Sequence, residues 1–179
     1  MRATGVIRRI DDLGRIVIPK EIRRSLRMRE GDPLEIFTDR GGEVILKKYS
    51  IMAGLTSLAK DCAASIYKSA GVRCAVCDGE KITAFGGEKK YDCENSLISP
   101  EISFFIQKRT PYYRTGQEDN PIRPCENSPF ICLGIMPLVS ANGDCPGALM
   151  LLGDERETLS DDNKTLLQFA ASLLVKNIE

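Results

Sequence analysis

Pro19 is the residue that most restricts how the first fifty positions of this 179-residue chain can fold. A proline cannot extend a sheet ladder, but its fixed φ suits the first turn of a helix. The apolar run "RIVIP" is therefore expected to end as a strand. "PKEIRRSLR" then starts a short helix, with Ile22 and Leu26 at i and i+4 facing a core. Upstream, "ATGVIRRI" from Ala3 to Ile10 is short, β-branched and bounded by "DDLG", the pattern of a strand followed by a turn. Downstream, "REGD" breaks the helix. "PLEIFT", the turn "DRGG" and "EVILKKY" then make a hairpin with Leu34, Ile36, Val44 and Leu46 as inward residues. The module ends near Ser50. Fifty residues of this kind bury only a thin core, so a dimer is expected to supply the missing burial.

A different pattern begins at residue 51. "IMAGLTSLAKDCAASIYKSAG" repeats Leu55, Leu58, Cys62 and Ile66 at three and four and stops at Gly71, which predicts a linking helix over 51–70. "VRCAVCD", "KITAFGG", "FICLGIMPLVS" and "PGALMLLGD" read as strands, with "DGEK" and "ANGD" as hairpin turns. "SPEISFFIQKR" reads as a helix, and the proline-rich stretch 111–130 as a long irregular excursion of the functional or mobile kind. In the last helix Ser160 is the cap, and Asp161 and Asp162 suit the positive end. Leu167, Ala170, Leu174 and Ile178 form one stripe; Leu166, Phe169 and Leu173 form another. A face that wide points to helix–helix association between subunits. The expectation is two domains: residues 1–50, an all-β or β+α module, and residues 51–179, an α+β sandwich.

The formal net charge is zero, but residues 1–50 carry 12 basic and 8 acidic side chains, and residues 1–29 carry 9 against 3. A charged run is most often just a solvated face. Here the excess is nearly all arginine, which forks onto phosphates and guanine edges. A two-fold dimer would double it into one stripe. Duplex DNA is the partner this footprint fits. With no long recognition helix, groove shape and deformability would be read as much as base edges. Catalysis is not expected: the chain has no histidine, no phosphate-cradling glycine loop and no nucleophile motif. No apolar run approaches the roughly 20 residues of a membrane span. "MRATGVIRRIDD" lacks the apolar core of an export signal, so a cytoplasmic protein is expected.

"TGVIRRIDDLGRIVIPKEIRRSLRMREGDPLEIF", followed by "GGEVILKKY", closely resembles the N-terminal domain of the AbrB-type bacterial transition-state regulators. The resemblance runs without a gap from residue 1 to about 50. It implies a swapped-hairpin barrel, in which two chains interleave their hairpins into one DNA-binding dimer. It also implies that Arg8, Arg15, Arg23 and Arg24 face DNA, with Arg9 and Lys20 beside them. Members of the family with a longer C-terminal half join this barrel to a GAF-like sensor or oligomerisation domain. The resemblance thus implies a regulator of sporulation genes, dimeric through residues 1–50 and assembled into a tetramer through residues 51–179. The alternative is an antitoxin-like DNA-binding protein, because the same barrel serves toxin–antitoxin modules.

No cofactor and no metal are assigned. Cys74 and Cys77 form a C-x-x-C, yet on a strand i and i+3 point to opposite faces, so buried reduced thiols are preferred to a zinc or redox site. A small-molecule ligand of unknown identity has a candidate place between the sheet and the loop 111–130. Tyr112, Tyr113 and Arg114 offer stacking and charge there, and packing or oligomerisation is the competing reading.

Overall fold

The computed structural model describes residues 5–26, 28, 30–31, 34–48, 51–117 and 119–177. Ala3 at the start of the first expected strand, Asp32 in "REGD", Ser50 at the expected boundary and Ile178 in the last stripe lie outside the described residues. The chain divides into two compact units, Met1–Tyr49 and Ser50–Glu179.

In the first unit the strands expected over 3–10 and 15–19 do not form: residues 5–11 and 15–19 carry no ladder. Across the turn between them, the Asp11 N–H donates to the Arg15 carbonyl at 3.1 Å. A strand exists only against a partner, and the hairpin further along the described chain is already paired with itself. That hairpin joins β1 (Leu34–Thr38) to β2 (Val44–Lys48) in antiparallel register, Ile36 opposite Leu46 and Thr38 opposite Val44. Its turn is built by Asp39, whose Oδ1 accepts from the N–H of Gly41 at 2.9 Å and of Glu43 at 3.0 Å, with Gly42 at φ +81°. Between these parts lies the helix α1 (Lys20–Ser25), started by Pro19 in the cap position with φ −59° and ψ 150°.

None of the described residues of this unit is buried. Leu34, Leu46 and Ile22 are half-buried, but Ile36, Val44 and Leu26, expected to face a core, are 66%, 63% and 54% exposed. Ile7 and Val17 stand out further still. So many bare apolar side chains in one short unit leave no closed core among its described residues.

The second unit is an α+β fold. In chain order it comprises α2 (Ile51–Ala70), β3 (Arg73–Asp78), β4 (Ile82–Gly86), a single 3-10 turn (Lys89–Tyr91), α3 (Pro100–Lys108), β5 (Tyr112–Tyr113), β6 (Ile131–Pro137), β7 (Gly147–Gly153) and α4 (Asp161–Lys176). The strands form one antiparallel sheet in the order β4-β3-β7-β6-β5. Every residue of the central β7 is buried, because both faces of the sheet are covered. Leu149 and Leu151 join Cys74 and Val76 in the core beneath α2 and α4. Met150 and Leu152 join Ala75 and Cys77 in the core shared with Ile102 and Ile106 of α3 and with Cys125 and Phe130. Helix α2 comes so close to β4 that a Cβ on Gly86 would strike the Ala63 carbonyl, which the Cys74 thiol meets at 3.5 Å. The expected cap is in place, Ser160 accepting from the Asn163 N–H, and Ser99 caps α3 in the same way by accepting from the Ile102 N–H.

Candidate nucleic-acid interface

Asp11 organises the turn that presents Arg15. Its Oδ1 accepts from the N–H of Leu13 at 3.0 Å and of Arg15 at 2.7 Å; its Oδ2 takes the Arg15 Nε–H at 2.8 Å. Gly14, at φ +76°, gives the chain its left-handed step, and its N–H donates to the Asp11 carbonyl at 3.0 Å. These bonds, led by the Arg15 N–H, hold the Asp11 carboxyl below its usual range. Arg15 keeps 69% of its side chain exposed, and its two Nη groups are unbonded among the described residues.

The other five candidates are spread along the same unit. Arg8 and Arg9 are exposed on the extended segment before the turn, and Arg8 Nη1 donates to the Ile7 carbonyl at 2.9 Å. Lys20 is exposed at the start of α1. Arg23 and Arg24, both expected to face DNA, diverge. Arg24 is exposed, whereas Arg23 is half-buried with its Nε lacking a hydrogen-bond partner among the described residues. Consecutive helical residues are rotated by about 100°, so both cannot share one face. Among the described residues none of these five has an acidic partner within ion-pair distance. The sequence reading missed Asp11. The available signal was a carboxylate four residues before an arginine across a turn containing glycine.

The ligand site expected beneath the loop 111–130 is not assembled by the residues proposed for it. Tyr112 and Tyr113 are neighbours on β5 and so point to opposite faces of the sheet. Tyr112 packs in the α3 core against Phe105, ring centroids 5.4 Å apart, and its buried hydroxyl has no hydrogen-bond partner among the described residues. Tyr113 packs on the α2–α4 side, its ring 4.7 Å from the Lys164 Nζ. Arg114 is 1% exposed and fully engaged. It donates to the carbonyls of Asp119 (2.7 Å), Gln117 (3.0 Å), Glu155 (3.2 Å) and Glu157 (3.2 Å). A guanidinium committed to four carbonyls has no fork left for a ligand. A groove of about 430 Å³ lies instead at the other side of the sheet, between β6 and the last turns of α4.

Residues 7–52 match the family described as antidote-toxin recognition MazE, bacterial antitoxin. Residues 54–179 match that described as stage V sporulation protein T C-terminal, transcription factor. Along its whole length the chain is similar to stage V sporulation protein T of Bacillus subtilis (strain 168): 40% identical over 179 residues, covering 100% of this chain and 99% of that one. A 49-residue stretch is 53% identical to the transition state regulatory protein AbrB of the same organism, 27% of this chain and 50% of that protein. Among solved structures, residues 122 to 287 of a methyl-accepting chemotaxis protein share the fold. The TM-score is 0.54 at 16% identity, over 69% of this chain and 88% of that one.

Proposed function

The chain belongs to the stage V sporulation protein T family and is a transcription regulator of sporulation with an AbrB-type DNA-binding unit, and we propose that it grips duplex DNA as a dimer through Arg8, Arg9, Arg15, Lys20, Arg23 and Arg24. The observation that carries this reading is the joint state of the first unit: cations, of which among the described residues only Arg15 pairs with an acidic group and still keeps both Nη groups free, stand on a framework that leaves Ile7, Val17, Ile36 and Val44 bare. A second copy that covers the apolar residues also doubles the cations, which is the arrangement a polyanion requires. Arginine contacts to phosphate set the position on the duplex, and those reaching base edges set preference.

The second unit, in this reading, assembles dimers into a tetramer. Phe169, 69% exposed, and Leu173, 43% exposed, form an apolar stripe on α4 suited to the same helix of another copy. The protein acts in the cytoplasm and carries no catalytic activity of its own; no helix among the described residues is long and apolar enough to cross a membrane. The antitoxin alternative is not favoured, because that match stops at residue 52 and the rest of the chain matches a transcription factor family.

Fluorescence anisotropy of the full chain on A·T-rich duplex DNA tests the assignment. Arg15→Ala and Arg24→Ala should each weaken binding about tenfold with no change in melting temperature. Unchanged affinity removes those residues from the interface.

A further inference from the structure

The Asp11 carboxylate stands on a surface assigned to phosphates, where on Coulomb grounds alone it opposes binding. Its two oxygens divide the work. Oδ1 closes the turn through the Leu13 and Arg15 N–H groups, and Oδ2 holds the Arg15 side chain by Nε alone. The two Nη groups, the pair that meets a phosphate or a guanine edge, stay free among the described residues. An exposed arginine otherwise samples many rotamers and loses that freedom on binding; an arginine already held in one direction loses less.

We propose that Asp11 is a positioning residue for DNA recognition, presetting the Arg15 fork from a fixed turn. The inference rests on the reading of Arg15 as a DNA-facing residue. The amide of asparagine can still accept the two backbone N–H bonds through its oxygen, but its NH2 would face the Arg15 Nε–H donor to donor. Asp11→Asn therefore keeps the turn and releases the guanidinium.

The full chain is titrated on A·T-rich duplex DNA as wild type, Asp11→Asn, Arg15→Ala and the double variant, with melting temperatures measured alongside. Arg15→Ala is expected to raise the Kd about tenfold in the wild-type background and no more than about threefold beside Asn at 11. Asp11→Asn alone should raise the Kd a few-fold, although it removes a repulsive charge. Equal losses from Arg15→Ala in both backgrounds would overturn the proposal and leave Asp11 as a builder of the turn. No loss in either background would defeat the placement of Arg15 itself. Arg15→Lys leaves the turn and the charge untouched and so serves even where Asp11→Asn fails to fold. It should keep the salt dependence of wild type yet bind several-fold more weakly, and wild-type affinity would contradict the proposal.

Discussion

Cys74 and Cys77 lie three residues apart on β3 and belong to different cores, Cys74 beneath α2 and α4 and Cys77 with α3. One metal ion or one disulfide cannot serve two thiols on opposite faces of a sheet, so the C-x-x-C spacing is here a feature of strand packing. Burial pushes both thiols up to about 12. Cys93, Cys125 and Cys132 are buried too, while Cys62 and Cys145 are half-buried. A thiol-reagent titration of the native protein should find at most two cysteines reacting quickly, and all seven in denaturant.

Glu88 holds Arg73 by two bonds of 2.8 Å, and the Arg73 guanidinium stacks 4.3 Å from the Phe130 ring centre. The Arg73 bond lowers the Glu88 carboxyl from 4.5 to about 2. A depressed folded-state pKa contributes stability above the unfolded value that is lost as pH falls through the folded one. Its loss should therefore spread from about pH 4.5 down to about pH 2. Thermal melts across that window should show Glu88→Gln with a lower melting temperature at pH 6 and a flatter acid dependence than wild type.

Arg114 ties the segment 115–119 to the segment 154–157 through carbonyls alone. Removing it would strand those acceptors in a buried site and leave a void. Arg114→Met should destabilise the protein by more than about 3 kcal/mol in urea unfolding. A loss below about 1 kcal/mol would mean that water replaces the guanidinium at little cost.

Ile36 and Val44 separate an exposed surface from an interface. On a water-facing surface, Ile36→Asp and Val44→Asp would change stability by no more than about 0.5 kcal/mol. Between two copies they would break the dimer. Light scattering after size exclusion should show that each variant dissociates and loses DNA binding. Phe169→Glu should stop assembly at the dimer while leaving the first unit paired.

Much of the second unit was legible because its signals are local. Ser99 and Ser160 cap their helices, Asp78 closes the β3–β4 turn through the N–H groups of Glu80 and Lys81, and the strand runs match the sheet. The first unit was legible in its turns, in α1 and in the β1–β2 hairpin but not in the two strands expected before α1, because "GVIRRI" and "RIVI" have strand composition without a strand partner among the described residues. Composition also misplaced Arg114. An arginine beside two tyrosines in a loop resembles a ligand contact, and only the positions of four distant or irregular carbonyls show that it is spent on structure. The split between Arg23 and Arg24 follows from helical rotation, but which of them turns inward depends on packing.

The central claim, that a dimeric basic unit reads duplex DNA, is tested most directly by the salt dependence of full-chain binding to A·T-rich duplex DNA. With roughly 8 phosphates neutralised per dimer, log Kd should rise with log salt at a slope of about 7. Removing Arg8, Arg15 and Arg24 together should flatten that slope. A salt-independent affinity, or no binding at low salt, would contradict the account.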